Sequence, residues 1–166
     1  MTCIIIAATV LLTYILIVCI TNKQIPNSLS ESVFLMKTQG QWLWTICIGI
    51  VALLTIPAFV SKASESTQWI AFMACAALAF VAVCPLMGSK ESIEKSNGSY
   101  TVHMVAAFAC GALSQLVVII NCWPFVFSWV PWLVAFIMIT KDRKWQHQVF
   151  WAEMTCFVST FIFCII

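Results

Sequence analysis

Six long apolar runs fill most of this chain and leave only short polar connectors between them. Each run has about 17 to 21 residues, which at a helical rise of about 1.5 Å per residue suffices to cross a hydrocarbon core about 30 Å thick. Lipid cannot satisfy backbone N–H and C=O groups, and the alternation typical of barrel strands is absent, so the runs are predicted to be helices. The predicted spans are residues 2–20, 41–60, 68–87, 102–122, 124–140 and 149–166.

Composition independently excludes a water-soluble domain. Apolar residues make up 63% of the chain, charged residues make up 8%, and the mean hydropathy is +1.03. These values lie far from soluble averages. We therefore expect an all-α, polytopic transmembrane bundle with six membrane-spanning helices in a single integral membrane domain, residues 1–166.

The first run is expected to be a mature helix and not a signal peptide. No basic residue precedes it, it is longer than the apolar core of a signal peptide, and no small-x-small cleavage site ends it. The fifth run, residues 124–140, is the shortest, and Pro131 is expected to kink its helix.

Lys and Arg concentrate in alternate connectors, which predicts the orientation. The first, third and fifth connectors hold seven basic residues, the second holds Lys62, and the fourth and both termini hold none. The seven are Lys23, Lys37, Lys90, Lys95, Lys141, Arg143 and Lys144. Because cytoplasmic loops carry the excess of positive charge, those three connectors are predicted to be cytoplasmic and both termini to lie outside. The sequon at Asn97 indicates the opposite face for the third connector, although such triplets often arise by chance.

The predicted partner is the lipid bilayer. A net charge of +2 without a dense basic stripe argues against nucleic acid. The cluster Lys141, Arg143 and Lys144 lies at a helix end, where it serves as a topology anchor and can also attract anionic lipid headgroups, worth about 1 kcal/mol per basic residue.

Cysteines and histidines give no sign of a metal or a cofactor. All nine cysteines fall within or at the edge of apolar runs and none forms a C-x-x-C pair, so we interpret them as small apolar residues. The two histidines, His103 and His147, are too few for a three-histidine zinc site. Because no phosphate loop or dinucleotide fingerprint is present either, no cofactor and no metal are expected.

The fourth run carries a polar stripe along one helix face. His103, Ala107, Cys110, Ser114 and Asn121 all lie within about 40° of one direction at 100° per residue. Such a face should turn toward the bundle interior or a wet cavity, and an intramembrane histidine suggests a functional site. His103 is only one residue inside its run, so an interfacial or structural role stays open.

Glu153 is the only acid within a predicted span. An isolated carboxylate in hydrocarbon is costly enough to stay protonated or to find a partner. His103 and Glu153 are both expected near the cytoplasmic face, so we predict that they pair. The pair would form either a proton-handling or ligand-binding site or a buried polar clamp between helices.

The first connector, residues 21–40, is predicted to contain a short helix at the membrane interface. Ser28 and Glu31 form the S-x-x-E pattern of a capping box ahead of an apolar segment. Leu29, Val33 and Met36 share one face, which can lie on the interface with its apolar side down.

A catalytic alternative uses the same region. One of Ser28, Ser30 and Ser32 would be the nucleophile, His103 its base and Glu153 the residue that orients the base. The chain has no G-x-S-x-G elbow, and helix capping already explains Ser28.

One further pattern is a resemblance. Residues 25–32 (IPNSLSES), followed by Gln41-Trp42 and by Val102-His103 with Ala106 and Ala107, resemble uncharacterised small polytopic membrane proteins of gut bacteria and their phages. The likeness covers the first two thirds of the chain. It implies a bacterial inner-membrane location and brings no activity or catalytic residue.

Two classes of function follow. The first is a non-enzymatic membrane protein whose polar site, made by His103, Ser114, Asn121 and Glu153, handles a small solute or a proton, or supports a membrane assembly. The second is a small intramembrane hydrolase or transferase acting on lipid. The absence of a soluble domain favours the first.

Overall fold

The computed structural model describes residues 1–36, 38–84, 97–134 and 147–166, and these contain helices and turns but no strand. The predicted helical class is confirmed for them. The elements are α1 (Thr2–Asn22), α2 (Ser32–Leu35), α3 (Thr38–Lys62), α4 (Gln68–Val83), α5 (Asn97–Asn121), a 3₁₀ helix (Trp123–Trp129) and α6 (Gln148–Ile165).

Four of the helices are long and apolar enough to cross a membrane, as expected of an integral membrane protein: α1, α3, α5 and α6. Large apolar side chains cover their outer faces; Phe108 is 79% exposed and Leu53 69% exposed. Water would not tolerate an apolar exterior of this extent, whereas lipid would.

Two predicted spans are shorter where the structure describes them. The third corresponds to α4, with 16 residues, and the fifth to the apolar helical segment Trp123–Val134. The predicted ends of these spans, residues 85–87 and 135–140, lie outside the described residues, as do Lys141, Arg143 and Lys144. The fourth predicted span corresponds to α5. This helix begins at Asn97, five residues before the predicted start of the span, so the sequon lies in the first turn of α5.

Hydrogen bonds and ring contacts fix the direction of each helix. Consecutive helices α1, α3, α4 and α5 run antiparallel. Tyr14 packs at a tilted angle against Trp44 near the start of α3, with ring centroids 5.5 Å apart, and hydrogen bonds join each end of α4 to the opposite end of α5. Phe59, near the end of α3, packs on Phe163, near the end of α6, at 6.0 Å. The first connector and the starts of α5 and α6 therefore share one end of the bundle, called here the connector end, and both chain termini lie at the other.

Helices α5 and α6 run parallel and in close contact. A Cβ added at Gly111 would lie 3.6 Å from the Sγ of Cys156, and Gln115 bonds to both Cys156 and Ser159. Residue n of α5 is thus level with about residue n+44 or n+45 of α6. This register decides which polar groups can meet.

The chain returns from the end of α5 to the start of α6 partly through a 3₁₀ helix, where a simple kink at Pro131 was predicted. Phe125 packs against Phe163 at one end, and the indole N–H of Trp132 donates to the carbonyl of Gln148 at the other, 3.2 Å away. Because a 3₁₀ helix rises about 2.0 Å per residue against about 1.5 Å in an α-helix, it covers more of this distance with fewer residues.

The first connector folds into the bundle instead of lying on its surface. Its helix α2 has only four residues, and Leu29 and Val33, from the predicted interfacial face, are buried in the main core at 2% and 0% exposure. The hydroxyl of Tyr14 also bonds to that of Ser32, 2.6 Å away. Burial of these apolar and polar groups against α1 and α3 explains why the segment packs inward.

Candidate functional site

A cavity of about 90 Å³ lies inside the bundle between α3, α4, α5 and α6. From α5 it is lined by Ala107, Cys110, Gly111 and Ser114, at offsets of 0, 3, 4 and 7 residues. This spacing places them on a single face, the one that carried the predicted polar stripe. Over that part of α5 the cavity is about 10 Å long.

One face of α6 forms the opposite wall. Its lining residues are Glu153, Cys156, Phe157, Thr160 and Phe161, at offsets of 0, 3, 4, 7 and 8 residues. The lining is otherwise largely apolar and includes no Lys, Arg or His. An acid thus borders an apolar cavity whose described lining contains no basic side chain.

Residues 26–30, called here the connector turn, border the cavity at the connector end. Leu29 and Ser30 belong to its lining, and the backbone N–H of Leu29 donates to the carboxyl Oε2 of Glu153. Within the described part of the chain, this N–H is the hydrogen-bond partner of Glu153. Glu153, which was predicted to pair with His103, instead accepts a hydrogen bond from the backbone of the connector turn.

The start of α6 anchors the same turn by two further bonds. The N–H of Phe150 donates to the carbonyl of Asn27, 3.0 Å away, and the Nδ1–H of His147 donates to the carbonyl of Pro26, 3.1 Å away. The first N–H groups of a helix have no partner within the helix. The connector turn thus satisfies one of them and caps α6.

Ser28 lies at the beginning of the turn that leads into α2. Its Oγ accepts the backbone N–H of Glu31, 2.9 Å away, which is the contact expected of a capping serine. The helix itself begins one residue after Glu31, at Ser32.

Two buried polar atoms in the cavity lining have no hydrogen-bond partner among the residues that the structure describes. They are the indole Nε1 of Trp44 and the Oγ1 of Thr160, in side chains that are 2% and 6% exposed. Three other helical threonines, Thr9, Thr55 and Thr155, donate to the carbonyl four residues earlier, as Thr55 does to Val51 at 2.7 Å. A buried polar group without a partner is costly and calls for an explanation.

The predicted pair of His103 and Glu153 does not form. The Nδ1–H of His103 donates to the carbonyl of Cys84, 2.9 Å away, and its Nε2 is buried with no partner in the described part of the chain. The carbonyl at the end of α4 has no partner within that helix, so it attracts the imidazole. The register places His103 level with about Gln148, five residues or about 7.5 Å from Glu153 along the helix axis.

Asn121 lies at the opposite end of α5, away from the cavity. Its Nδ2 donates to the Oγ1 of Thr67 at 2.9 Å and to the carbonyl of Val117 at 2.8 Å, and its Oδ1 accepts the N–H of Ser64 at 2.9 Å. His103 and Asn121 thus fasten the two ends of α4 to α5. Of the four predicted site residues, the cavity lining includes only Ser114 and Glu153.

Gln115 is a buried polar residue that the stripe did not include. Its Oε1 accepts the indole N–H of Trp129 at 3.1 Å and the hydroxyl of Ser159 at 2.9 Å, and its Nε2 donates to the carbonyl of Cys156 at 3.2 Å. It points about 120° away from the stripe. The signal that could have found it is a lone amide in the middle of an apolar run.

The geometry does not join the groups of the catalytic alternative. Ser32 bonds to Tyr14 and to the carbonyl of Leu29, Ser28 caps the turn, and His103 bonds to Cys84. No hydrogen bond connects His103 to Ser28, Ser30 or Ser32 among the described residues. That part of the chain also contains no group of three or more His, Cys, Asp or Glu able to hold a metal ion, and its nine cysteines are unpaired.

Comparison with known proteins assigns no family: no protein-family model, curated protein or solved structure matches the chain. Any function therefore has to be argued from the cavity and its lining.

Proposed function

We propose that this chain is a non-enzymatic, multi-pass membrane protein that binds a small solute in the cavity below the connector turn. The observation that carries the proposal is the combination of the Glu153 carboxyl with two unpartnered polar atoms, those of Trp44 and Thr160, in an otherwise apolar lining. Small-molecule sites in proteins have this composition, with apolar walls and a few polar groups that fix orientation.

The size of the cavity limits the solute. An apolar cavity of about 150 Å³ accommodates benzene, so in proportion about 90 Å³ accommodates roughly four non-hydrogen atoms. The lining extends about 10 Å along α5 and about 22 Å along α3, from Trp44 to Phe59, which favours a linear molecule over a compact one. The solute is therefore small, narrow and largely apolar, with one polar group.

A panel of solutes with three to five non-hydrogen atoms, neutral, cationic and anionic, tests this function on the purified protein in detergent. A solute at ten times its Kd stabilises the folded state by about 1.4 kcal/mol. For a chain of this size we expect a rise in Tm of about 3 to 6 °C.

Substitution of Ala107 by Leu adds an isopropyl group to the cavity lining and should abolish that rise. The matched control is Ala112→Leu, the same change at an exposed position of α5, which should leave it intact. The proposal is contradicted if no class of solute raises the Tm of the wild type, or if a solute raises the Tm of both variants equally.

We further propose that all six apolar runs cross the membrane, with the connector end in the cytoplasm. The bias of Lys and Arg toward the first, third and fifth connectors supports this orientation. The common location of both termini at the other end of the bundle agrees with an even number of crossings. A reporter enzyme that is active only outside the cytoplasm, fused to the C-terminus, should be active, and an inactive fusion that is expressed and folded contradicts this orientation.

A further inference from the structure

The cavity combines one acid with several aromatic walls. Besides Glu153 its lining contains Trp44 and Phe157 toward the connector end and Phe59 and Phe161 toward the other end, so Trp44 and Phe157 are the rings nearest the acid. Aromatic rings attract cations through the negative face of the ring, and ammonium groups are recognised by aromatic side chains arranged around them. A carboxylate beside such rings adds a charge-assisted hydrogen bond to any N–H that reaches it.

Resting on the proposed solute function, we propose that the solute is a short linear alkylammonium ion, bound with its ammonium at Glu153 and its alkyl chain along α5 and α6. Glu153 lies at the connector end of the α6 lining face, eight residues before Phe161. The rest of that face, and the α5 face opposite, present mainly Cβ, thiol and ring atoms. Apart from the hydroxyls of Ser114 and Thr160, the acid and the apolar surface are thus separated along the length of the cavity, as head and chain are in such an ion.

The hydrogen-bonding capacity of Glu153 leaves room for this head group. A carboxylate has about four lone-pair sites, and the Leu29 N–H uses one of them. A neutral alcohol could supply a donor as well, but it offers no positive charge to pair with an ionised Glu153. An ammonium supplies both, and burial of a charge is tolerated when it is paired and hydrogen-bonded. An anion would meet the acid at close range and is excluded.

The size of the cavity selects the length of the chain. n-Propylammonium has about the four non-hydrogen atoms that the volume accommodates. Longer homologues should bind progressively less well, because they exceed the volume of about 90 Å³.

Isothermal titration of the full chain in detergent tests the proposal with three probes: n-propylammonium, n-propanol and propionate. The wild type should bind n-propylammonium most tightly and propionate least. Glu153→Gln keeps the shape of the side chain and an acceptor for Leu29 but removes the charge, so it should weaken n-propylammonium binding about tenfold or more. Glu65→Gln, an exposed acid at the opposite end of the bundle, should bind as the wild type does.

A second variant keeps the test decisive if Glu153→Gln does not fold. Phe157→Leu removes an aromatic wall and keeps an apolar one, so it should weaken n-propylammonium binding about threefold and leave n-propanol binding unchanged. Unchanged n-propylammonium binding in both variants, or n-propanol binding as tight as that of n-propylammonium, contradicts the proposal of an ammonium ligand. It does not contradict the proposal of a solute site. Failure of all three probes, and of the wider solute panel, to bind the wild type overturns both.

Discussion

Substitution of Asn121 by Ala should destabilise the bundle without affecting solute binding. The amide makes two tertiary hydrogen bonds, to the Ser64 N–H and to the Thr67 hydroxyl, each 2.9 Å long. At about 0.5–1.5 kcal/mol per bond, their loss should lower the free energy of unfolding by about 1–3 kcal/mol. Measured averages for polar contacts between membrane helices, about 0.6 kcal/mol, place the expected value in the lower half of that range.

Asn22 provides a matched control. Its Nδ2 donates to the carbonyl of Val18, four residues earlier, at 2.9 Å, just as Asn121 donates to Val117 at 2.8 Å. Asn22→Ala therefore removes the same local bond without the tertiary ones and should change stability by less than about 0.5 kcal/mol. Unfolding by sodium dodecyl sulfate in mixed micelles, followed by tryptophan fluorescence, measures both variants. Equal losses in the two, or loss of solute binding in Asn121→Ala, would refute the assignment of Asn121 as a clamp remote from the cavity.

Three further substitutions test the packing around the site. Gln115→Leu removes three hydrogen bonds of about 0.6 kcal/mol each, so the free energy of unfolding should fall by about 2 kcal/mol; no fall would contradict the network. Tyr14→Phe removes the 2.6 Å hydrogen bond to Ser32, so the free energy of unfolding should fall by about 1 kcal/mol and amide hydrogen exchange in the connector turn should become faster. Unchanged exchange would contradict an anchoring role for Tyr14. Gly111→Ala places a Cβ 3.6 Å from the Sγ of Cys156, which is an ordinary contact distance. Because Ala has the better helix propensity, the Tm should stay the same or rise. A marked fall in Tm would show that α5 and α6 lie closer together than described.

The helices were predictable because lipid leaves a chain of this composition few alternatives. Apolar runs give the positions of α1, α3 and α6 to within three residues at each end. The end of α5 and the position of Ser114 on its inward face also follow from periodicity alone. These features depend on the local sequence and on the surrounding lipid, and the periodicity and composition of a single sequence indicate both.

The partners of the polar groups were not predictable, because they depend on the register between helices distant in sequence. His103 and Glu153 were expected to meet since both begin helices at the same end. The parallel packing of α5 on α6 offsets them by five residues, and backbone groups, the Cys84 carbonyl and the Leu29 N–H, are nearer. Helix ends and turns expose such backbone groups, which a search for pairs of side chains does not consider.

The inward folding of the first connector was missed for a related reason. A short segment with one apolar face is compatible with a lipid interface and equally with a protein core. What distinguishes the two is the set of partners supplied by other elements, here Tyr14 from α1 and Phe150 from α6. The sequence pattern of the segment itself contains no information on them.

The most direct test of a solute site inside the bundle is protection of its thiols. Cys75, Cys110 and Cys156 line the cavity, whereas Cys19 on α1 does not. Labelling by methyl methanethiosulfonate, quantified for each cysteine by mass spectrometry, should slow at Cys75, Cys110 and Cys156 in the presence of n-propylammonium and stay unchanged at Cys19. Unchanged rates at the three cavity cysteines while the solute is bound, or equal slowing at all four, would contradict a site in this cavity.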